Sequence, residues 1–212
     1  MTGPTRAYNS PLREKNALQT RESILAALYA LMGDAGAPEE ISMEEIAQKA
    51  GVQRRTIFRH FATREELLCA FWPWLNARIG ASPAPHSVRD VLDGPREAFA
   101  RFDAHEAAMR AALHSRTGRE MRMDTVTGRR ALFAGALEPV LSQLPPATAQ
   151  KVEALAHLLF SASAWEVLKD YGGLTGAQAG ETASWALELI LSAVDSGQAK
   201  ADVPSQTKEK KR

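Results

Sequence analysis

The stretch Ser42-Met43-Glu44-Glu45-Ile46-Ala47-Gln48-Lys49-Ala50-Gly51-Val52-Gln53-Arg54-Arg55-Thr56-Ile57-Phe58-Arg59-His60-Phe61-Ala62-Thr63-Arg64-Glu65-Glu66 decides the fold. Ser42 followed three residues later by Glu45 is a capping box, in which the hydroxyl accepts one orphan backbone N–H and the carboxylate reaches back to another. A helix therefore starts at Met43. Gly51 ends it early, because a residue free to take positive φ lets a short helix turn into the next. Ile46, Ala50, Val52, Ile57 and Phe61 share one apolar seam, and small Ala47 on the inner face lets two helices cross closely. The seam turns Gln53, Arg54, Arg55, Thr56, Arg59 and His60 outward. Four arginines and no acid lie from Gln53 to Arg64. Thr63 and Glu66 form a second capping box that opens a further helix.

The outward set has the chemistry that duplex DNA demands. Arginine forks onto guanine O6 and N7, glutamine onto adenine N6 and N7, and a threonine methyl meets a thymine methyl. Base reading falls to Gln53, Arg54, Arg55 and Thr56. Phosphate contact falls to Arg59, His60, Arg64 and the helix start at Ser42 and Met43, where backbone N–H groups face an anion. A solvated helix face also looks like an arginine run. The agreement of cap, turn glycine, short second helix and second cap favours DNA.

These residues carry a family resemblance. The segment from Thr20 to Leu68 resembles the DNA-binding domain of TetR-type (TetR/AcrR) transcriptional regulators, over about a quarter of the chain. Ile24-Leu25-Ala26-Ala27 stand in its first helix, Gly36 closes that helix, and Glu45-Ile46-Ala47 stand in the second. Ala50-Gly51-Val52 form the turn, Thr56-Ile57-Phe58-Arg59-His60-Phe61 the recognition helix, and Arg64-Glu65-Glu66-Leu67-Leu68 begin helix four. Three residues depart from the pattern. Arg55 stands where the family has a small residue, Phe58 replaces a tyrosine whose hydroxyl would reach phosphate, and Arg64 replaces a lysine. The operator sequence therefore does not transfer by analogy.

The resemblance implies an all-α protein of about nine helices: a three-helix helix-turn-helix headpiece and a helical-bundle body for effector binding and dimerisation. It also implies a homodimer, a palindromic DNA operator as partner, and a small-molecule effector held between the middle helices. Candidate lining residues are Phe102, Met109, Leu113, His114, Met121, Phe133, His157, Phe160 and Trp165. Each reads equally as plain core, because methionine and aromatic residues at helical spacing fill cores by default.

Composition agrees with a headpiece plus one larger body. The chain has 212 residues, 45% hydrophobic and 24% charged, and a net charge of +1 that matters only through its concentration of arginine on one short helix. Cys69 is the only cysteine, which excludes a disulfide framework and a cysteine-rich zinc site. The apolar runs Ala154 to Trp165 and Thr182 to Val194 fall short of the ~20 residues a bilayer span needs. We expect no membrane association and a cytoplasmic location. The boundaries expected are a loose arm at 1–16, a headpiece at 17–68, a body at 69–196 and a polar tail at 197–212. Arg6, Arg13 and Lys15 of the arm either touch phosphate or lie in a disordered lead-in, and the basic tail has the same two readings. Pro73 is expected to kink or break helix four, and Asp93-Gly94-Pro95 to interrupt a helix capped by Ser87.

The runs Ala154 to Trp165 and Thr182 to Val194 carry a second argument. A surface helix needs one apolar stripe, whereas the helix over Thr182 to Val194 is apolar nearly all round. Either it is wholly internal or a two-fold partner covers its outer face. The resemblance favours the partner, with Leu158, Ala162, Trp165, Trp185, Leu189 and Ile190 at the interface. No phosphate loop, H-E-x-x-H or G-x-S-x-G motif is present, so no catalytic residue, cofactor or metal ligand is assigned, and the chain reads as a regulator and not an enzyme. The pair Glu153 and His157 shares a helix face, and a satisfied histidine explains it better than a metal. The competing functional reading is a helical ligand-binding or scaffold protein whose headpiece contacts protein.

Overall fold

The computed structural model describes residues 11–35, 38–80 and 84–195. Among them, ten α-helices and one 3-10 turn follow one another with no strand. The helices are α1 Pro11–Ala35, α2 Met43–Ala50, α3 Arg54–His60, α4 Arg64–Ile79, α5 Val88–Ala104, α6 Glu106–His114, α7 Arg116–Leu141, α8 Pro146–Leu159, α9 Ala162–Asp170 and α10 Gly176–Asp195, and the 3-10 turn Pro38–Glu40 lies between α1 and α2. The all-helical expectation holds. Residues 11–16, expected to be loose, are helical: α1 opens on Pro11, whose missing N–H and preset φ suit a first helical position. Arg6 and the tail at 197–212 lie outside the described residues.

The described residues fall into two compact units. One contains those of Met1–Ile79 with Glu106–Arg122, the other those of Gly80–His105 with Met123–Arg212. The expected boundary at 68/69 therefore cuts through α4, which belongs whole to the first unit. The chain returns to that unit for α6 and the opening turns of α7.

In the first unit, α1 packs against α2, α3, α4 and α6. Ile24, Leu25, Leu28 and Met32 form the buried stripe of α1, and Ile46, Ala47, Ile57 and Phe61 meet it from the helix-turn-helix. Pro73 does not break α4. Leu67, Leu68, Phe71, Trp72, Leu75 and Ile79 are buried on both sides of it, and that burial offsets the ~3 kcal/mol a helical proline costs.

The second unit is organised by α10, which packs on α5, α8 and α9. The interruption expected at Asp93-Gly94-Pro95 is absent: α5 is continuous, capped by the Ser87 hydroxyl on the Asp90 N–H at 3.2 Å. Small residues explain this. A Cβ on Gly180 would lie 2.6 Å from the Pro95 carbonyl oxygen, so the two helices approach at backbone distance there. Gly94 and Pro95 are packing residues, and Val91, Ala98, Phe99 and Phe102 hold α5 helical by their burial. Arg96 pins the same pair of helices through Glu181 at 2.9 Å and Glu188 at 3.0 Å of α10. The run Ala154 to Trp165 is divided between α8 and α9, because Ser161 caps α9 with its hydroxyl on the Ala164 N–H.

Gly94 offers a test of this packing. A Cβ there would sit 1.9 Å from the buried Phe160 ring. Gly94→Ala should destabilise the protein by about 1–3 kcal/mol in urea unfolding, although alanine is the better helix former. Gly135→Ala in α7, with open space beside it, should be neutral or stabilising.

Candidate nucleic-acid interface

The helix-turn-helix is built by the signals its sequence carries. The Glu45 N–H donates to Ser42 Oγ at 3.2 Å and the Ser42 N–H donates to Glu45 Oε2 at 2.8 Å. Gly51 takes φ 66, in the left-handed region, with nothing within 4 Å of a built Cβ, so glycine is needed there for its backbone and not for space. The Val52 N–H reaches back to the Ala47 carbonyl at 3.0 Å and closes the turn. Gln53 precedes α3 in extended conformation without capping it through its side chain, which leaves its amide exposed for a ligand. At α4 the Glu66 N–H donates to Thr63 Oγ1 at 3.1 Å, while the Glu66 carboxylate takes the Ala62 N–H at 2.7 Å in place of the Thr63 N–H.

The outward residues divide into three groups. Gln53, Arg54, Arg55, Phe58 and Arg59 are exposed, Thr56 is half-buried, and among the described residues no carboxylate lies within 4.0 Å of the three arginines. The Arg54 guanidinium lies 5.5 Å from the Phe58 ring centroid. The phenylalanine that lacks a phosphate-seeking hydroxyl thus serves as a platform for a cation.

Ser42 and Met43 present less than expected. The capping box takes the Ser42 N–H and uses its exposed hydroxyl as an acceptor, and the Met43 side chain is buried. His60 is half-buried, its Nε2 is buried without a hydrogen-bond partner, and burial followed by the Arg59 and Arg21 charges holds its pKa below 6.5. The shift disfavours the cation that phosphate contact would use.

Arg64 requires the clearest correction. Its Nη2 donates to the carbonyls of Pro38 and Glu39, both at 2.8 Å, and of Ile41. It clamps the segment that leads into α2. A cation in the first turn of a helix faces the positive end of the macrodipole, and that mismatch is the sequence signal that Arg64 had to seek partners elsewhere.

Two positioning residues lay outside the sequence assignment. Arg21 of α1 donates from Nη1 to the carbonyl of His60, the last residue of the recognition helix, at 3.1 Å, and stacks over the Phe61 ring at 4.2 Å. Its spacing from Leu25 and Leu28 places it on the buried stripe of α1, which is the signal that finds it. Glu39 accepts the Thr117 N–H at 3.1 Å and the Thr117 hydroxyl at 2.5 Å. Nothing in the local pattern announces that contact, because 78 residues separate its partners.

The decisive observation is a short, capped helix, a left-handed glycine and a second short helix whose exposed face is unpaired arginine. Residues 24–71 match the family described as bacterial regulatory proteins, tetR family. The headpiece is of TetR type. Three solved structures share the fold of this chain. A transcriptional regulator from Rhodococcus sp. Rha1 has TM-score 0.58 and 18% identity, covering 82% of this chain and 96% of that one. A tetR-family regulator from Streptomyces coelicolor has TM-score 0.56 and 19% identity, with 88% and 93% covered. NalD of Pseudomonas aeruginosa, the secondary repressor of the MexAB-OprM multidrug efflux pump, has TM-score 0.52 and 19% identity, with 82% and 96% covered. No curated protein matches. Among the described residues, no helix is long and apolar enough to cross a membrane.

The nine candidate effector residues are divided between the two units. Met109, Leu113, His114 and Met121 belong to the first unit, and Phe102, Phe133, His157, Phe160 and Trp165 to the second. Within the second unit they are packed against one another: Phe133 stacks on His157 at 4.2 Å and meets Phe160 edge-on at 5.2 Å, and Phe102 meets Trp165 at 6.0 Å. A separate groove of about 400 Å³ is lined by Val88, Leu92, Val140, Leu144 and Leu191 with Ser192, none of them expected. Of the expected interface residues, Leu158, Trp185 and Leu189 are exposed, Ala162 and Ile190 half-buried, and Trp165 wholly buried. Trp165 is core, because it lies on the face of α9 turned to Phe102.

Proposed function

We propose that this TetR-type chain is a homodimeric repressor that grips a palindromic operator in the cytoplasm and leaves it when a small molecule binds the body. The observation that carries the reading is the free guanidinium face of Arg54, Arg55 and Arg59. Unpaired cations on a rigid short helix fit a major groove, and two such helices on a two-fold axis, about 34 Å or somewhat more apart, match half-sites on one face of the duplex.

Dimerisation is supported by apolar surface without cover. Leu158 of α8 is 53% exposed, and Trp185 and Leu189 of α10 are 59% and 51% exposed. Side chains of this size on the last helices suit a self-complementary patch. For the effector, the groove beside Leu92 and Leu191 has the volume that small-molecule sites use and a mixed lining, in which Gln143, Glu188 and Ser192 accompany the apolar side chains. NalD, a structural neighbour, is itself a repressor.

Selection from a pool of random duplexes tests the reading. Wild type should enrich sequences with two-fold symmetry. The double substitution Leu158→Arg with Trp185→Arg alters only exposed positions, so it should keep the helical content, halve the mass in sedimentation and lower affinity for the enriched duplex by at least a hundredfold. An unchanged mass would remove this face from the interface, and enriched sequences without symmetry would contradict the two-fold arrangement.

A further inference from the structure

The structure ties the DNA-reading motif to a helix far along the chain. The 3-10 turn Pro38–Glu40 leads into α2, and Arg64 grips its carbonyls. From that turn the Glu39 carboxylate reaches the second residue of α7 and takes both the N–H and the hydroxyl of Thr117. It thereby supplies, from the headpiece, one of the caps the start of α7 needs, while the Ser115 hydroxyl takes the Gly118 N–H at 3.1 Å. The corner before α7 is stiff: a Cβ on Gly118 would stand 2.4 Å from the Ala112 carbonyl oxygen, and Arg122 donates to the carbonyls of Ala112 and Leu113.

We infer that Glu39 is a positioning residue for DNA recognition, which makes the lead-in to α2 follow the position of the first turn of α7. This rests on the reading of the headpiece as the DNA-binding part. Two features suit it to the task. α7 is a single helix from Arg116 to Leu141, and its later residues Phe133, Ala136 and Leu137 lie in the core cluster of the second unit. The same helix thus carries Thr117 in its first turn and those core residues further along. The contact is also balanced and not over-determined. Glu39 Oε1 holds two charge-assisted hydrogen bonds, yet its buried Oε2 has no hydrogen-bond donor among the described residues. Release would return that oxygen to water, which offsets part of what the two hydrogen bonds contribute.

Hydrogen exchange on the full chain, with a duplex selected by the wild type as a second readout, tests this. Thr117→Val removes one donor with little change of shape, and Gly118→Ala must shift the first turn of α7. Each should speed exchange of the Glu45 and Ile46 amides about tenfold, leave the amides of α10 unchanged, and weaken the selected duplex five- to tenfold. In a Glu39→Ala background, already fast at those amides, neither substitution should add anything. Unchanged exchange in α2, or equal increments with and without Glu39, would overturn the inference. Should Gly118→Ala not fold, Thr117→Val with Glu39→Ala completes the same cycle. Failure of the wild type to select any duplex would count against the DNA reading, and the exchange arm would still decide the role of Glu39.

Discussion

Arg64→Ala is expected to lower the unfolding free energy by about 2–4 kcal/mol and to leave the salt dependence of DNA binding unchanged. The guanidinium holds three carbonyls of the segment before α2, and hydrogen bonds from a charged donor are worth about 1.5–3 kcal/mol each before allowance for one nitrogen serving all three. Removing it strands those carbonyls where the helix-turn-helix meets α1. Arg64→Lys should recover part of the loss, since an ammonium also donates from one nitrogen, with three hydrogens, on a stem one bond shorter than the one that carries Nη2. Urea unfolding gives the first quantity. A salt titration gives the second: a residue that touched phosphate would on removal flatten the slope by about one per contact, whereas a clamp leaves it alone. A stable variant with a flattened slope would restore Arg64 to the DNA-facing set.

The second large effect concerns specificity. Arg54→Ala and Arg55→Ala should each cost about 1–3 kcal/mol of discrimination between the selected duplex and a random one, which is roughly five- to 150-fold. Neither residue is buried or paired with a carboxylate among the described residues, so thermal stability should stay within about 0.5 kcal/mol of wild type. Arg59→Ala, by contrast, should weaken both duplexes alike. Competition binding with labelled duplexes reads the difference, and parallel losses on both for Arg54 and Arg55 would reassign them to phosphate.

These expectations show where local pattern suffices and where it does not. The helix-turn-helix is written in short-range chemistry: Ser42 with Glu45, Gly51 in the left-handed region, and the Ile46–Ile57–Phe61 seam each act within a few residues, so the sequence alone located them. The proline positions misled for the opposite reason. Pro73 and Pro95 have an intrinsic cost that favours a break, and only the burial of Phe71 and Trp72, or the close approach of Gly180 to Pro95, overrides it. Those partners are tertiary. The same holds for Arg64 and His60, which read as phosphate ligands from their place in the motif. In the fold they answer to the Pro38–Ile41 carbonyls and to burial beside Arg21 and Arg59.

The effector residues are divided between the two units because aromatic and methionine positions at helical spacing mark a core without marking which core. Met109 and Met121 serve the first unit, and Phe133 and Trp165 the second. A groove between Leu92 and Leu191 has no sequence signature, since it is defined by what three helices leave unfilled. The departures from the family pattern, in turn, acquire physical meaning. Phe58 supports Arg54 from below, and Arg64 clamps the segment before α2 through one guanidinium nitrogen.

The dependence of binding on ionic strength goes to the centre of the account. With the selected duplex, log K against log salt should fall linearly with a slope of about −4 or steeper, because each phosphate neutralised by an arginine releases a condensed counterion. An affinity that stays flat between low and physiological salt would mean that the guanidinium face of α3 meets something other than a duplex.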